Sequence, residues 1–216
     1  GAGSGKGHVL QWLVKQGYIG SQFAHLDVDG NRHLLPLWHD PAYIEADGKT
    51  RKEKAVELTQ PGASRLNEFM MDRCLLWGRP FVYDGTFRSK NASLKFCKEA
   101  KKEMRKMLEH SKEFNLDDQR EEIKVVVIFV ETELDVAKKR VNDRRLKTGR
   151  PVQPDFVVSS HEGARDTADM ALDCDAVDLV IRIDNNAYHG TPKFVDPRQA
   201  RRLQELTTTR PPGNVR

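Results

Sequence analysis

Apolar residues recur along the chain with two alternating periods, one typical of helices and the other of strands. The clearest helical stripe lies within residues 63–77 and consists of Leu66, Phe69, Met70, Cys74 and Trp77. The clearest strand lies at residues 123–130, where β-branched side chains fill the centre. Because helical and strand patterns alternate, the sequence predicts an α/β protein with a mostly parallel β-sheet flanked by helices on both faces.

The same periods place the remaining elements. Helices are expected at 8–16, 89–114, 133–146 and 155–171, strands at 22–27, 80–83 and 179–183, a polar linker at 115–122 and a turn at 147–154. A short helix is expected at 198–206, followed by disorder at 207–216. This organisation predicts one domain at residues 1–196 and a partly disordered C-terminal tail at residues 197–216.

The composition limits the class of partner and compartment. The 216 residues include 36 basic and 32 acidic side chains, and the net charge of +4 favours anionic partners in general. No apolar run approaches the roughly 18 residues that span a bilayer, so no membrane partner is expected. The three cysteines, Cys74, Cys97 and Cys174, are too scattered for a disulfide framework or a zinc site. We therefore expect an intracellular, reducing compartment, either the cytoplasm or an organelle matrix.

The first six residues carry the most informative motif. Small residues let backbone N–H groups point at phosphate oxygens, and the apolar-periodic helix that follows adds its positive N-terminal end. Lys6 would reach the β- and γ-phosphates of a nucleotide. A flexible Gly-rich linker is the alternative, but a linker does not run directly into such a helix. We call residues 1–6 the phosphate loop. The predicted nucleotide-binding residues are Gly1, Ala2, Gly3, Ser4, Gly5, Lys6, Gly7 and His8.

Two positions differ from the usual pattern of such loops, G-x-x-x-x-G-K-[ST]. The first glycine of the pattern, and the strand that feeds it, would precede Gly1. The Ser or Thr that normally binds Mg²⁺ is replaced by Gly7, and His8 follows. Because Mg²⁺ prefers oxygen ligands, His8 is expected to be a residue of the helix surface rather than a metal ligand.

Acidic residues follow two of the predicted strands. Asp27 and Asp29 end the first, and Asp84 and Thr86 follow the second. Ligands of open α/β sheets bind at the carboxyl ends of the strands, and a kinase needs one carboxylate to accept a proton and another near the metal. Strand alternation would point Asp27 and Asp29 to the same side, so either could accept the proton. Helix capping or a turn before glycine is the alternative for each cluster.

Basic residues concentrate at positions 138–150, after the central strand. Arg140 and Arg144 share a helix face, and Arg150 follows them. Guanidinium groups bind phosphate oxygens as a fork and are always charged. We interpret the segment as a helical lid that brings these three arginines onto the transferred phosphoryl group. A solvated basic helix face is the alternative, and it is favoured for Lys138, Lys139 and Arg145.

These motifs, in this order, resemble the zeta-toxin family of P-loop kinases over residues 1–185. The resemblance implies a P-loop NTPase-like fold in which Lys6 binds the nucleotide phosphates and Asp29 is the general base. It also implies that Asp84 helps to position Mg²⁺ or substrate. The resemblance further implies an acceptor pocket with Arg65, Glu68, Asp84, Thr86 and Arg88, and a triphosphate clamp made by Arg140 or Arg144 together with Arg150.

The resemblance implies ATP or GTP as phosphate donor, Mg²⁺ as cofactor and a hydroxyl-bearing small molecule as acceptor. Bacterial members of the family phosphorylate the nucleotide sugar UDP-N-acetylglucosamine, but the polar residues 39–58 give no firm basis for that substrate here. Two alternatives remain open. One is a nucleotide-binding subunit with weak or no activity in a larger assembly of proteins or RNA. The other is a nucleoside or polynucleotide kinase, which the positive charge favours slightly.

Overall fold

The computed structural model describes residues 1–114, 121–187 and 190–207. The helices are α1 (Lys6–Lys15), α2 (Val28–Asn31), α3 (Glu53–Leu76), α4 (Lys90–Glu113), α5 (Leu134–Thr148), α6 (Pro154–Ala171) and α7 (Arg198–Thr207). The strands are β1 (Ala24–Asp27), β2 (Phe81–Asp84), β3 (Val126–Glu131), β4 (Leu179–Asp184) and β5 (Lys193–Phe194). Most of the predicted linker, and the predicted disorder from residue 208 onwards, lie outside the described residues.

The strands form two small sheets. β1 pairs with β2 in parallel, and Asp27 lies opposite Asp84 in their register. β3 pairs with β4 in parallel, and the short β5 joins β4 in the antiparallel direction. The predicted α/β class and parallel strand pairing are therefore confirmed. Instead of one continuous sheet, however, the described residues form a two-stranded and a three-stranded sheet.

One cavity of 3310 Å³ is lined by strands of both sheets. Phe81 and Val82 of β2 contribute to its wall, as do Val126 and Ile128 of β3. Residues of the phosphate loop line the same cavity. The loop and the carboxyl ends of β1 and β2, at Asp27 and Asp84, therefore open onto a common space.

Helices α1 and α7 pack on the three-stranded sheet. Val9 and Leu13 of α1 join Ile181 and Ile183 of β4 in a buried apolar cluster, and Leu203 of α7 completes it at 1% exposure. Burial of this kind contributes about 1.5–3 kcal/mol per large aliphatic side chain. The short helix predicted near residues 198–206 is confirmed, whereas the domain boundary at residue 196 stays a prediction.

Helix α3 begins ten residues before the predicted helix at 63–77. Its first turns bury Ala55 and Thr59 rather than large apolar side chains, so the sequence has no clear apolar stripe there. Pro61 lies inside the helix, where it removes one backbone donor and normally predicts a break. The prediction of a helix start at residue 63 is therefore wrong.

The cysteines behave as small apolar residues. All three are buried free thiols, and burial raises the pKa of Cys97 to about 11. None of the helices in the described part of the chain combines the length and the apolar character that crossing a bilayer requires.

Candidate functional site

The phosphate loop curves into the start of α1. Gly3 and Gly5 have φ angles of 75° and 84°, in the left-handed region that other residues rarely adopt. Gly5 is the N-cap residue of α1, and no side chain caps the helix. The first turn of α1 therefore presents backbone N–H groups that the helix does not use, together with the positive end of its dipole. This combination binds anions.

Three side chains hold the carbonyl oxygen of Ser4. It accepts hydrogen bonds from Asn185 Nδ2 at 2.7 Å and from Arg140 Nη1 at 3.2 Å. Thr132 Oγ1 lies 3.1 Å away, and its one hydrogen is shared with the Glu131 carbonyl oxygen at 2.8 Å. Thr132 follows β3, Asn185 follows β4 and Arg140 lies on α5. The Ser4 hydroxyl is buried and donates to the Gly1 carbonyl at 2.9 Å. The loop is thereby fixed to the carboxyl ends of two strands.

Helix α6 holds the start of the loop. The Ala2 N–H donates to Ser160 Oγ at 2.9 Å, and His161 Nε2 lies 2.7 Å from the Ala2 carbonyl oxygen. Burial lowers the pKa of His161 below its ordinary value, so the neutral imidazole is favoured. A neutral ring with its hydrogen on Nε2 donates to that carbonyl. These contacts restrict the start of the loop, which reduces the entropy that ligand binding would have to remove.

Lys6 and Asp84 lie near each other beside the loop. Lys6 Nζ is 3.9 Å from Asp84 Oδ1 and 3.5 Å from the Gly1 carbonyl oxygen. The other oxygen of Asp84 is 3.4 Å from Nε2 of His25 on β1. A lysine at this distance from a carboxylate is loosely held, and it can turn to a phosphate group.

Asp27 and Asp29 do not alternate along one strand. β1 ends at Asp27, and the short helix α2 begins directly afterwards. Asp27 caps that helix, because its Oδ1 accepts the Asp29 N–H at 2.9 Å. The predicted alternation is therefore wrong, and the capping alternative describes Asp27. The Asp29 carboxylate is not the cap.

Two arginines hold the Asp29 carboxylate. Arg32 Nε lies 3.3 Å from Oδ1, and Arg150 Nη1 contacts Oδ2. Burial by itself would raise the pKa of Asp29, but the charges and hydrogen bonds of Arg150 and Arg32 outweigh it and leave that pKa below its usual value. Asp29 is therefore ionised at neutral pH and can accept a proton.

Arg144 and Arg150 present buried N–H groups without partners. The Nε atoms of both are buried and make no hydrogen bond within the described structure. Both residues line the cavity that the phosphate loop borders. An unpaired buried donor costs about 1–3 kcal/mol, so the oxygens of an anionic ligand would stabilise this arrangement. Arg140 differs, because its guanidinium binds the Ser4 and Ala187 carbonyl oxygens, the latter at 3.0 Å.

The residues predicted for the acceptor pocket do not all meet. Glu68 and Thr86 line the cavity. Arg88 also lines it, and its guanidinium stacks 4.8 Å from the centre of the Phe156 ring. Arg65 has an 84% exposed side chain that pairs with Glu68 at 2.9 Å, and it is not among the residues that line the cavity. Asp84 lines the cavity as well, so four of the five predicted residues lie on its wall and Arg65 does not.

Few side chains are available for Mg²⁺. Gly7 offers no side-chain oxygen, and His8 is exposed on α1, as expected for a surface residue. No group of three or more His, Cys, Asp or Glu side chains converges as a metal site in residues 1–114, 121–187 and 190–207. Mg²⁺ is commonly bound by one or two carboxylates, substrate phosphates and water. Asp84, beside Lys6, fits an ion that is held mainly by nucleotide phosphates.

Four residues that support the site belong to no motif that we identified in the sequence: Arg32, Thr132, Ser160 and Asn185. Each contacts a partner far away along the chain, such as Thr132 and Ser4, which are 128 positions apart. Two of them, Thr132 and Asn185, could have been found from their positions in the sequence. Both directly follow strands, where ligands of α/β sheets bind.

Comparison with known proteins gives one match. The family model described as zeta toxin matches residues 1–191 of the chain. No curated protein and no solved structure matches it. The matched range includes the phosphate loop, the acidic strand ends and the arginines of α5 and Arg150.

Proposed function

Because the chain belongs to the zeta toxin family, whose members are P-loop kinase-like proteins, we propose that it transfers the γ-phosphate of ATP or GTP to a hydroxyl group of a small molecule. The observation that carries the proposal is a series of contacts beside the phosphate loop. Lys6 lies 3.9 Å from Asp84, and Asp84 lies opposite Asp27 in the register of β1 and β2. Asp29 follows two residues after Asp27, and its carboxylate contacts Arg150. Transfer to a hydroxyl requires a phosphate-binding loop, cationic groups and a carboxylate that takes the proton, and these residues provide all three.

The proposed reaction needs little covalent chemistry from the protein. Backbone N–H groups of the loop and Lys6 bind the β- and γ-phosphates, while Arg144 and Arg150 bind oxygens of the transferred group. Asp29 takes the proton of the acceptor hydroxyl. The hydroxyl oxygen then forms a bond to the γ-phosphorus, the bond from that phosphorus to the bridging oxygen breaks, and the nucleoside diphosphate leaves.

Mg²⁺ has a limited place in this proposal. When bound, it would neutralise charge on the β- and γ-phosphates. Asp84 is the residue proposed to hold it, directly or through water, and Gly7 contributes no ligand. Lys6 therefore has to neutralise more of the phosphate charge than it would in a loop with Ser or Thr at position 7.

Helix α5 is proposed as the lid. Arg144 lies on it and Arg150 follows it, and their unpartnered Nε groups support a role in binding phosphate. Arg140 already binds the Ser4 carbonyl oxygen, so it supports the loop in this structure. Its predicted part in the triphosphate clamp requires that it also reach the nucleotide when the lid closes.

The acceptor is proposed to bind beside α3. Glu57, Gln60, Ser64 and Glu68 are spaced three or four residues apart along this helix, and all of them line the cavity. Such a row of hydrogen-bonding groups suits a polar acceptor with several hydroxyl groups. A nucleotide sugar is one molecule of this kind. Arg88 would hold its anionic part, and the predicted role of Arg65 would need a movement of its side chain.

A nucleotide-binding subunit with little turnover is the second candidate, and Gly7 is the observation that favours it. Losing one preorganised electrostatic contact costs on the order of 10²–10³ in rate. The lowered pKa of Asp29 also makes it a weaker proton acceptor. A subunit of this kind would bind nucleotide and transfer no phosphate.

The test is phosphate transfer from γ-labelled ATP or GTP, with Mg²⁺, to a panel of sugar nucleotides, nucleosides and RNA ends. We expect label on a small-molecule acceptor. Lys6→Met and Asp29→Asn should each lower the rate by about 10²-fold or more, because the first removes phosphate binding and the second removes the proton acceptor.

Matched controls are Lys15→Met and Asp72→Asn, which change exposed residues of α1 and α3. Both should keep the wild-type rate. Unchanged transfer by the Lys6 and Asp29 variants would show that their assigned roles are wrong. Nucleotide binding by calorimetry without transfer to any acceptor would support the second candidate, and transfer to RNA ends alone would indicate a polynucleotide kinase.

A further inference from the structure

We infer that Arg32 is the positioning residue for Asp29, an inference that rests on the proposed role of Asp29 as proton acceptor. Arg32 lies three positions after Asp29, in the 3₁₀ turn Arg32–Leu34. It was not part of any motif, and the proposed reaction does not use it. Its contacts nevertheless fix the direction of the carboxylate.

The guanidinium of Arg32 is anchored to the first turns of α3. The side chain is 2% exposed. Its Nη1 donates to the Val56 carbonyl oxygen at 2.6 Å and to Thr59 Oγ1 at 2.7 Å, and its Nη2 contacts Gln60 Oε1. A buried arginine that is hydrogen-bonded at three nitrogen atoms has little freedom to turn, so its Nε is a fixed donor to Asp29.

Trp38 covers the side of the guanidinium. The Arg32 Cζ lies 6.0 Å from the centre of the indole ring, and Trp38 is 4% exposed. Arg51 Cζ lies 5.9 Å from the centre of the same ring. In the described structure its side chain donates hydrogen bonds to the Trp38 and Lys49 carbonyl oxygens, and not to Asp29. The two arginines thus share an aromatic neighbour and differ in whether they touch the carboxylate.

The two oxygens of Asp29 have different partners. Arg32 holds Oδ1, and Arg150 contacts Oδ2. Arg150 is less constrained than Arg32, because its side chain is 21% exposed and its Nε makes no hydrogen bond with the described residues. When Arg150 turns to a phosphate group, Arg32 keeps Oδ1 in place and Oδ2 becomes free for the acceptor hydroxyl. Arg32 therefore orients the proton acceptor while Arg150 exchanges partners.

The charges that face Asp29 come from several elements. Arg32 and Asp27 lie on either side of it in sequence, and Arg144 and Arg150 face it from α5 and the turn that follows. Both contacts from arginine favour the ionised carboxylate. Loosening Arg32 should therefore raise the pKa of Asp29, and the low-pH limb of the rate profile should move to higher pH.

The experiment compares the wild type with Arg32→Lys, Gln60→Met and the control Arg51→Lys. The pKa of Asp29 is measured by carbon-13 NMR of labelled aspartates, with Asp29→Asn identifying the signal. In parallel, kcat and the KM for nucleotide are measured against pH. Gln60 is exposed, so Gln60→Met releases one anchor of Arg32 with little risk to folding.

In Arg32→Lys we expect a higher Asp29 pKa and a kcat lowered by about 10- to 100-fold, with the KM for nucleotide within about twofold of wild type. Gln60→Met should raise the Asp29 pKa by less, and only its pKa is compared, because Gln60 also lines the proposed acceptor site. Arg51→Lys should shift neither quantity. An Asp29 pKa that is the same in wild type, Arg32→Lys and Gln60→Met would overturn the inference, even if kcat fell. A wild type that transfers no phosphate would contradict the proposed function, while the titration would still decide whether Arg32 holds the carboxylate.

Discussion

Gly7 is the residue at which a single hydroxyl group would change the chemistry most. A Cβ built on Gly7 meets no atom of the described residues within 4 Å, so a serine fits at this position of α1 without displacing any of them. We predict that Gly7→Ser tightens Mg²⁺ binding in the presence of nucleotide and raises the transfer rate by up to about 10²–10³-fold, since it restores an oxygen ligand. The measurement is the transfer rate as a function of Mg²⁺ concentration.

Gly7→Ala is the matched control for this serine. It adds the same Cβ and a similar gain in helix propensity, but no oxygen. The rate and the Mg²⁺ dependence of Gly7→Ala should remain at the wild-type level. Equal gains from alanine and serine would mean that helix stability, rather than a metal ligand, limits the protein.

Single residues also show where sequence reasoning stops. Lys6 was assigned to phosphate binding from its motif and Asp84 to the site from its position after a predicted strand, and the structure brings the two to 3.9 Å. The partners of Asp29 were not predictable in the same way. Arg32 reaches α3 through contacts 24–28 positions away. Such contacts depend on how the polar segment between Arg32 and α3 folds back onto that helix. The spacing of apolar residues in the sequence does not predict this.

Among the elements, the junction after α5 is the most constrained. Gly149 ends α5 with a φ of 66°, and a Cβ there would lie 2.4 Å from the Lys49 carbonyl oxygen. Its own carbonyl oxygen accepts the Arg51 N–H at 3.0 Å. We predict that Gly149→Ala destabilises the protein by more than about 2 kcal/mol, because it adds a clash to the strain of a left-handed alanine. Urea unfolding measures the loss.

Gly48→Ala is the control for the backbone strain. Gly48 has a φ of 69°, but a Cβ there lies more than 4 Å from the atoms of the chain that the structure describes. This substitution should therefore cost only about 1–2 kcal/mol. Because Arg150 follows Gly149, only Gly149→Ala should also weaken nucleotide binding. Equal losses of stability in the two variants would show that the junction is not tightly packed.

The elements that were easiest to predict have large apolar side chains at a clear period. The strand β3 and the helices α4 and α5 were expected within a few residues of their observed positions. The first turns of α3 were missed because small and polar residues fill its inner face and because Pro61 normally interrupts a helix. Tertiary contacts, including those of Arg32 with Val56 and Thr59, stabilise this part of α3.

At the scale of the whole molecule, the break between the two sheets is the most consequential feature. In the described part of the chain, no strand pairs with the edge of β2 that is away from β1, or with the edge of β3 that is away from β4. Side chains of both strands line the same cavity. We predict that fusing an apolar β-strand that ends in Gly to Gly1 raises the Tm by about 5 °C or more, because it supplies hydrogen bonds and apolar contacts to both edges.

A Gly/Ser extension of equal length is the control for this fusion. It adds the same number of residues without apolar side chains or strand propensity, and it should leave the Tm unchanged. Thermal unfolding of the two fusions beside the unmodified chain makes the comparison. An equal Tm for all three proteins would mean that the cavity does not accept a strand.

The fold class was predictable for the whole molecule because alternating periods dictate layers of helices on parallel strands. The separation into two sheets was not predictable, since an apolar pattern indicates a strand but does not indicate which strands pair with it. The same limit applies to the proposed lid. The spacing of Arg140 and Arg144 predicts that they share a helix face, but not that Arg140 hydrogen-bonds to the Ser4 carbonyl oxygen.

The Ser4 carbonyl oxygen, held by Thr132, Arg140 and Asn185, has a consequence for protein engineering. Residues 1–6 cannot be transferred to another protein as an independent phosphate-binding motif. Transplanted alone onto another scaffold, they would lose the three donors that keep this oxygen turned away from an incoming anion. A successful graft would have to carry two strand ends and one turn of helix along with them.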